Sequence, residues 1–148
     1  MIAPAMTLVP GDPLAHRALE WLLHAESSVR RRLAAELERE GLSASGFSVL
    51  VVLTTAGGEL ELRTLRRRLR TSKANATEVV TTLEQRGLVT RCRLERDRRT
   101  AVVALTERGR GVTDRLFPEH TRRVQETFAV LDESEKRFLA EVCRKLAA

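Results

Sequence analysis

The amino-acid sequence predicts a mainly α-helical protein with a small β-hairpin. Three observations point to this class. Apolar residues recur every three or four positions over most of the 148-residue chain, which is the spacing of a buried helix face. Two strand-like segments lie in its second half. Residues 62–100 hold twelve lysines and arginines against four acidic residues, whereas the rest of the chain is slightly acidic. This segregation of charge is typical of a protein that binds a polyanion.

The first two helices are predicted from periodicity and from their end signals. The first covers about residues 14–39, and Gly41 is suited to end it. The stretch SASGFSVLVVLTTAGG predicts the second helix. Ser43 or Ser45 is expected to cap its start, and the pair Gly57–Gly58 to end it. The short ELEL segment that follows is strand-like.

The third and fourth helices are short and are joined by a tight turn. Leu62, Leu65 and Leu69 mark the core face of the third helix. Its outer side is expected to carry Arg63, Arg66, Arg67, Arg68 and Arg70. The fourth helix is predicted over about residues 73–86, with Ser72 as its N-cap. Its inward positions are Ala76, Val79, Val80 and Leu83. The pair makes a helix-turn-helix.

A basic hairpin follows the helix-turn-helix. Residues 88–95 and 100–105 are strand-like, and an arginine-rich turn joins them. Five arginines and one aspartate fall within residues 91–99. Repulsion between like charges disfavours such a cluster, which indicates a partner outside the chain. The hairpin and the two helices before it predict a winged helix-turn-helix lobe.

Two further helices are predicted after the hairpin. Thr106 is expected to cap the fifth, which would bend at Pro118. Asp132 and Glu135 form a capping arrangement for the sixth. The sixth helix is expected to bury Phe138, Leu139, Val142 and Leu146, with Cys143 also in the core. The helices that flank the lobe show more apolar face than one small lobe covers, so we expect a homodimer.

The chain is expected to form a single domain over residues 13–148, after a flexible N-terminus of residues 1–12. The winged helix-turn-helix lobe spans about residues 43–105. The N- and C-terminal dimerisation helices span about residues 13–40 and 106–147. The sequence has no apolar run long enough to cross a membrane and no secretory signal pattern. We therefore expect a cytoplasmic protein without a membrane partner.

The N-terminal half of the fourth helix exposes small and polar side chains, which suit a major groove of double-stranded DNA. Asparagine pairs with adenine, glutamate accepts from cytosine, and threonine offers a hydroxyl or a methyl group. The arginines of the third helix would lie across the phosphate backbone. The hairpin tip would enter a minor groove, with Asp97 orienting a neighbouring arginine. The expected DNA contacts are Arg66, Arg67, Arg70, Ser72, Lys73, Ala74, Asn75, Thr77, Glu78, Thr81, Arg96, Asp97, Arg98 and Arg99.

The segments LRTLRRRLRTSKANATEVVTTLEQRGLVTR, DRR and ALTERGR resemble the MarR family of bacterial transcriptional regulators. The flanking segments GLSASGFSVLVVL and LDESEKRFLAEVCRKL match that family too, so the resemblance covers about residues 14–147. It implies a symmetric dimer with intertwined terminal helices and two recognition helices in successive major grooves. It also implies wing-tip roles for Asp97 and Arg99 and a recognition-helix role for residues 72–81. A small aromatic or anionic effector would bind between the dimer helices and the lobe, with Trp21 as a candidate lining residue.

These observations predict a sequence-specific DNA-binding transcriptional regulator, a ligand-responsive repressor that acts as a homodimer on a pseudo-palindromic operator. Two alternatives stay open. A basic winged helix also suits an architectural or low-specificity DNA-binding protein. Cys92 lies between Arg91 and Arg93, whose charges favour a thiolate, so a cysteine-based redox-sensing regulator is the second alternative.

Neither an enzyme nor a cofactor is expected from this sequence. It carries no nucleophile motif, no glycine-rich phosphate loop and no cluster of acid–base residues. His16 and His24 lie about 12 Å apart along the first helix, which is too far for them to share a metal ion. We therefore expect no metal site. The two cysteines are too few for a disulfide framework.

Overall fold

The computed structural model describes residues 11–148. Within them, six α-helices and three β-strands follow one another along the chain. Their bounds are α1 Pro13–Arg39, α2 Ala44–Thr55, β1 Glu59–Glu61, α3 Leu62–Leu69, α4 Lys73–Gln85, β2 Val89–Arg93, β3 Ala101–Leu105, α5 Glu107–Phe128 and α6 Glu133–Leu146. The mainly α-helical class with a small sheet is confirmed. Residues 1–10 of the segment predicted to be flexible lie outside the described residues, whereas Asp12 caps α1.

Short polar side chains begin the helices at the predicted positions. The Ser43 hydroxyl accepts a hydrogen bond from the Gly46 N–H group at 3.0 Å, and Ser72 caps α4 in the same way. Asp132 and Glu135 form the predicted capping box at the start of α6. Each bond satisfies a backbone donor that the first turn of a helix leaves without a partner. The starts of α2, α4 and α6 are therefore set by local sequence.

The three strands form one antiparallel sheet in the order β1–β3–β2. Val103 of β3 pairs with Leu60 of β1 on one side and with Arg91 of β2 on the other. The Val103 side chain is fully buried, so the sheet covers one side of the core. The strand predicted from ELEL is thus β1, an edge strand of the wing sheet. Residues 94–100 form the wing tip.

An apolar core joins the end of α1 to the other elements as far as the middle of α5. Its members are Leu37, Leu42, Phe47, Val49, Leu50, Leu53, Leu65, Val80, Leu83, Leu88, Val89, Val103 and Leu116. The inward face predicted for α4 is confirmed, because Ala76, Val80 and Leu83 are buried and Val79 packs against the core. We call residues 42–105, which share this core, the lobe.

Arg70 ends α3 in a left-handed backbone conformation, with φ at 50° and ψ at 45°. Among residues 11–148 it is the one residue other than glycine with a positive φ. A residue with a Cβ atom pays roughly 1–2 kcal/mol for this conformation. The turn of the helix-turn-helix is therefore strained at Arg70, and the side chain of that residue is exposed and positively charged.

Polar groups join the last turns of α1 to α5. Arg123 pairs with Glu36 of α1 at 3.0 Å and with Glu119 of its own helix at 3.5 Å. Hydrogen bonding to Arg122 lowers the pKa of Glu119 from its ordinary 4.5 to about 2, so this carboxylate is charged at neutral pH. α5 continues through Pro118 without ending at the position of the predicted bend. The polar junction between α1 and α5 lies beside the apolar core.

His120 closes this junction toward the lobe. Its ring packs against Phe47 of α2 at an interplanar angle of 60°, with 4.8 Å between the ring centroids. Its Nδ1 atom is buried and has no hydrogen-bond partner among the described residues. Burial lowers the pKa of His120, and the nearby Glu36 carboxylate opposes that shift. The imidazole is therefore neutral at neutral pH.

The prediction that α6 buries its apolar face is wrong for a single chain. Phe138, Leu139 and Leu146 are 70%, 40% and 69% exposed, and α6 contains no buried residue. Cys143, expected in the core, is exposed as well. Helical periodicity identifies an apolar face but not the surface that covers it. Nothing in residues 11–148 of one chain covers this one.

The N-terminal half of α1 is equally uncovered. Its exposed apolar residues are Leu14, Leu19, Trp21, Leu22 and Leu23. Only Leu37, near the other end of the helix, is buried. α1 therefore joins the lobe by its C-terminal end and carries an apolar face away from it.

Gly109 is required by a close approach between α5 and the turn after α4. A Cβ atom on Gly109 would lie 2.0 Å from the carbonyl oxygen of Leu88, whereas one on Gly111 would meet nothing within 4 Å. We expect Gly109→Ala to lower the free energy of unfolding by at least roughly 1–3 kcal/mol, the usual cost of overpacking a core. Urea unfolding followed by circular dichroism measures the change.

Gly111→Ala is the matched control for this prediction. Gly111 lies two residues after the buried Gly109 and is exposed, so alanine should raise stability there by about 1 kcal/mol through its better helix propensity. Equal stabilities of the two variants would contradict the close approach at Gly109.

Candidate nucleic-acid interface

A cationic cleft lies where the start of α3, the start of α4 and the end of the wing meet. Its volume is about 250 Å³. Its lining residues are Glu61, Leu62, Arg63, Arg66, Lys73, Ala76, Arg99, Thr100 and Ala101. The fold thus brings together four cations from three separate elements around a single carboxylate. Such a cleft suits the phosphate groups of a nucleic-acid backbone, because each cation offers N–H donors to phosphate oxygens.

Arg63 was expected only as one of the α3 arginines along the phosphate backbone and was not named among the individual DNA contacts, whereas the structure places it in the cationic cleft. It precedes Arg66 by three residues, so the two side chains share one face of α3. That spacing was the available signal. Arg66 and Arg99, both predicted, lie in the same cleft, and Arg67 is exposed on α3.

The first turns of α4 present the predicted recognition residues. Lys73, Ala74, Asn75 and Glu78 are exposed, and Thr77 is half-buried. They lie at the N-terminal end of the helix, where backbone N–H groups and the helix dipole favour a negatively charged partner. This end of α4 is therefore the part of the lobe best suited to enter a groove.

Asn75 is held in place by its neighbours. Its side-chain amide donates to the Thr71 hydroxyl at 2.6 Å, and its backbone N–H donates to the Ser72 hydroxyl at 3.1 Å. Ser72 is thereby engaged in capping α4. These bonds fix the position from which the Asn75 side chain leaves the helix.

Thr81 lies apart from the exposed N-terminal residues of α4. Its hydroxyl donates to the Thr77 carbonyl oxygen at 2.8 Å and accepts a hydrogen bond from Arg91 of β2 at 3.3 Å. Arg91 also pairs with Glu84 at 3.3 Å. The structure therefore places Thr81 against the sheet, where its hydroxyl is already engaged.

Asp97 organises the backbone of the wing tip. One carboxylate oxygen accepts a hydrogen bond from the Arg99 N–H group at 3.0 Å, and the other accepts one from the Thr100 hydroxyl at 3.2 Å. The prediction that Asp97 orients an arginine side chain is wrong. An aspartate side chain is short, so its carboxylate meets the backbone two residues ahead more readily than it meets the far end of a long arginine side chain.

The wing arginines have different surroundings. Arg93 donates to the carbonyl oxygen of Arg98 at 2.5 Å, which braces the tip from the strand. Arg96 and Arg98 are exposed at the tip, whereas Arg99 lines the cationic cleft. The wing thus directs two arginines outward and one toward α3 and α4.

A second groove runs between α2, α3 and α4. Its volume is about 260 Å³, and it joins Arg70 and Asn75 to Ser45 and Ser48 of α2. The two serines were not predicted as site residues. Serine is common on the exposed face of a helix, and its approach to α4 depends on packing between helices that lie apart in sequence.

Trp21 lies away from these surfaces. It is 66% exposed and meets His24 edge-on, with 6.1 Å between ring centroids. The expectation that it faces the lobe is not met within one chain, because α1 leaves the lobe at its C-terminal end.

Across residues 11–148, no helix has both the length and the apolar character needed to span a membrane.

An apolar cleft between α2 and α5 has a volume of about 220 Å³. Its lining residues are Val51, Thr54, Thr55, Thr113, Asp114, Phe117 and Pro118. The hydroxyl groups of its three threonines donate to backbone carbonyl oxygens of their own helices. Asp114 is therefore the polar group that this cleft offers to a bound molecule. We call this apolar cleft the α2–α5 cleft.

Comparison with known proteins gives matches at three levels. The family model described as "MarR family" matches residues 42–101. The uncharacterized HTH-type transcriptional regulator YwaE of Bacillus subtilis is 31% identical over 122 residues, which cover 79% of this chain and 71% of that protein.

Two solved structures are similar over most of the chain. Sco3205, a MarR family transcriptional regulator from Streptomyces coelicolor solved in complex with DNA, has a TM-score of 0.82 and 25% identity, covering 94% of this chain and 90% of its own. The organohalide-sensing regulator RdhR-CbdbA1625, solved in its 2,4-dichlorophenol-bound form, has a TM-score of 0.83 and 22% identity, covering 97% and 88%.

Proposed function

The chain belongs to the MarR family of transcriptional regulators, and we propose that it binds double-stranded DNA sequence-specifically as a homodimer in the cytoplasm. The observation that carries this proposal is the placement of small polar residues at the start of α4 beside the cationic cleft. Base-reading and phosphate-binding groups thereby lie on one surface. A protein that reads sequence needs both kinds of contact in a fixed relation.

We place α4 in the major groove, with Asn75, Thr77 and Glu78 toward the base edges. Lys73 and the arginines of the cationic cleft then lie over the phosphates that border the groove. The wing tip extends toward the adjacent minor groove, whose negative potential attracts Arg96 and Arg98. The three parts divide the work into base reading, backbone contact and groove-shape contact.

The homodimer is supported by the uncovered apolar faces of α1 and α6. Trp21 is 66% exposed, Phe138 70% and Leu146 69%. Clustered apolar exposure of this kind marks an interaction surface in soluble proteins. A second copy supplies the same two faces, so a twofold interface can cover all four helices. A dimer of this kind presents two recognition helices to a site with twofold symmetry.

DNA selected from random sequence by this protein is expected to be a near-palindrome with half-site centres about 10 bp apart. The variant Phe138→Asp should sediment as a monomer and protect a single half-site, because it buries a charge in an apolar interface. Sedimentation velocity and footprinting on the selected DNA measure both outcomes.

Selected sites without twofold symmetry would contradict the dimeric proposal, as would a wild-type mass that stays monomeric while concentration rises. Equal affinity for selected and unselected DNA would favour an architectural protein instead. Because Phe138 is exposed in the single chain, the variant should keep its circular dichroism spectrum.

Base-reading and phosphate-binding residues should fail in different ways. Asn75→Ala is expected to cost about 1–3 kcal/mol on the best site and to relax preference at one or two base pairs. Arg99→Ala should weaken binding to all sequences and reduce the slope of log affinity against log salt by about one per half-site. Titrations over a range of salt concentrations, on matched and mismatched sites, separate the two effects.

Arg108→Ala is the control for charge loss, because Arg108 is exposed on α5 and lines neither the cationic cleft nor the groove between α2, α3 and α4. It should leave the sequence preference unchanged and the salt slope nearly so. If Asn75→Ala and Arg99→Ala gave the same uniform loss, the division between α4 and the cleft would be wrong.

We also propose that the protein is a ligand-responsive repressor whose effector occupies the α2–α5 cleft. The cleft lies between the lobe and α5, so a bound molecule would favour one angle between them. Its apolar walls and its Asp114 carboxylate suit a small aromatic molecule with a hydroxyl donor better than an anion. RdhR-CbdbA1625, whose fold is similar, was solved with 2,4-dichlorophenol.

A phenolic effector is expected to lower DNA affinity by about 5- to 150-fold, the usual range of coupling between two sites. Phe117→Ala should weaken effector binding and leave DNA affinity without the effector unchanged. Calorimetry for the effector and fluorescence anisotropy for labelled DNA measure the two affinities. An effect lost in Trp21→Phe but kept in Phe117→Ala would place the effector on α1 and overturn the cleft assignment.

A further inference from the structure

Arg86 joins the end of the recognition helix to the end of α1. It follows the last residue of α4, and its Nη1 atom donates to the Gly41 carbonyl oxygen at 2.7 Å. Its Nη2 atom donates to the Glu40 carbonyl oxygen at 2.6 Å. The two bonds link positions that lie 45 and 46 residues apart along the chain. They are therefore tertiary contacts, not a local cap.

Chemistry favours an arginine at this position. The last carbonyl groups of a helix have no partner in the helix and carry the negative end of its dipole. The planar guanidinium holds its N–H groups in a fixed fork, so one side chain reaches two neighbouring oxygens with defined geometry. A lysine ammonium would keep the charge but not the paired, directional contact.

Glu40 connects this contact to α5 as well. Its carboxylate pairs with Arg115 of α5, at 2.8 Å to Nη2 and 3.3 Å to Nε. The chain then turns at Gly41, whose φ is +66°, and continues into α2. One short segment thus holds the ends of α1 and α4 and the side of α5.

The apolar packing of α4 does not replace these bonds. Ala76, Val80 and Leu83 bury one stripe of the helix in the lobe core. Apolar burial is non-directional and tolerates small rotations of a helix about its buried stripe. The two hydrogen bonds of Arg86 are directional, and they act at the end of α4 opposite to the proposed recognition residues.

We propose that Arg86 is a positioning residue that sets the direction of α4 relative to α1. Through α1, whose N-terminal half carries the proposed dimer face, it sets the distance between the two recognition helices. The inference rests on the proposed binding of DNA by a homodimer. Without the Arg86 bonds, α4 stays folded but points in a wider range of directions.

The test compares wild type with Arg86→Lys on operators whose half-sites are moved one base pair closer together or further apart. Wild type should prefer one spacing sharply. Arg86→Lys should lose about five- to tenfold affinity on that spacing, because a smaller fraction of molecules holds the competent arrangement. It should lose less on the other two, so its spacing profile is flatter. Its salt dependence should stay unchanged, because the charge is kept.

Two control variants separate positioning from general effects. Arg108→Lys makes the same chemical change at an exposed position of α5, and should keep the wild-type profile. Val112→Ala weakens packing against the core. It should lower the melting temperature without flattening the profile.

If Arg86→Lys kept the sharp spacing preference of wild type, the inference would be overturned. So would an equal loss at all three spacings, because that is the signature of lower stability alone. If wild type itself showed no preferred spacing on its selected DNA, the proposed dimeric function would fail first, and this inference with it. A flat profile in Arg86→Lys beside sharp profiles in wild type and both controls supports it.

Discussion

The contact between the start of α5 and the turn after α4 holds the lobe together. Thr106 donates its backbone N–H to the Leu88 carbonyl oxygen at 3.1 Å and its hydroxyl to the Gly87 carbonyl oxygen at 2.6 Å. The same hydroxyl caps α5 by accepting from Gly109 at 3.0 Å. α4, the wing sheet and α5 all leave from this point. Their relative directions depend on a glycine that lets two backbones touch.

Because this contact stabilises the fold, the candidate nucleic-acid interface can consist of groups that add little stability themselves. Like charges crowd the wing and α3, and Arg70 adds backbone strain at the turn between α3 and α4. The core and the sheet offset these costs, since Leu65, Val80 and Val103 are fully buried beneath them. Asp97 fixes the backbone of the wing tip and leaves Arg96 exposed for a partner. The unfavourable charge is therefore concentrated on a rigid support.

Local sequence signals predicted the elements well, because most helix starts depend on a capping residue within a few positions. Ser72, Thr106 and the Asp132–Glu135 pair cap the helices they were expected to cap. The candidate site was predicted in part, since the exposed turns of α4 follow from periodicity. Contacts between distant segments were not predictable. No spacing rule relates Arg86 to the end of α1.

Packing between chains is the other feature that one sequence read alone leaves undetermined. The periodicity of α6 identified its apolar face correctly but assigned it to the core of a single chain. The exposure of Phe138 and Leu146 shows that the core of one chain does not cover it. A face that is apolar, regular and uncovered in the folded chain is informative because leaving it in water is unfavourable.

The lobe and the flanking helices are thus joined by two kinds of interaction with different consequences. The apolar core, which includes Leu37 of α1 and Leu116 of α5, holds these elements together but tolerates small rotations of a helix about its buried stripe. Polar contacts add direction to this packing, because Arg86 links α4 to the end of α1, and Arg115 and Arg123 link α5 to the end of α1. Polar contacts can exchange partners at small net cost in free energy, since water replaces a lost hydrogen bond. In the proposed dimer, a change in the polar contacts at the end of α1 would therefore alter the spacing of the two lobes and leave the apolar core intact.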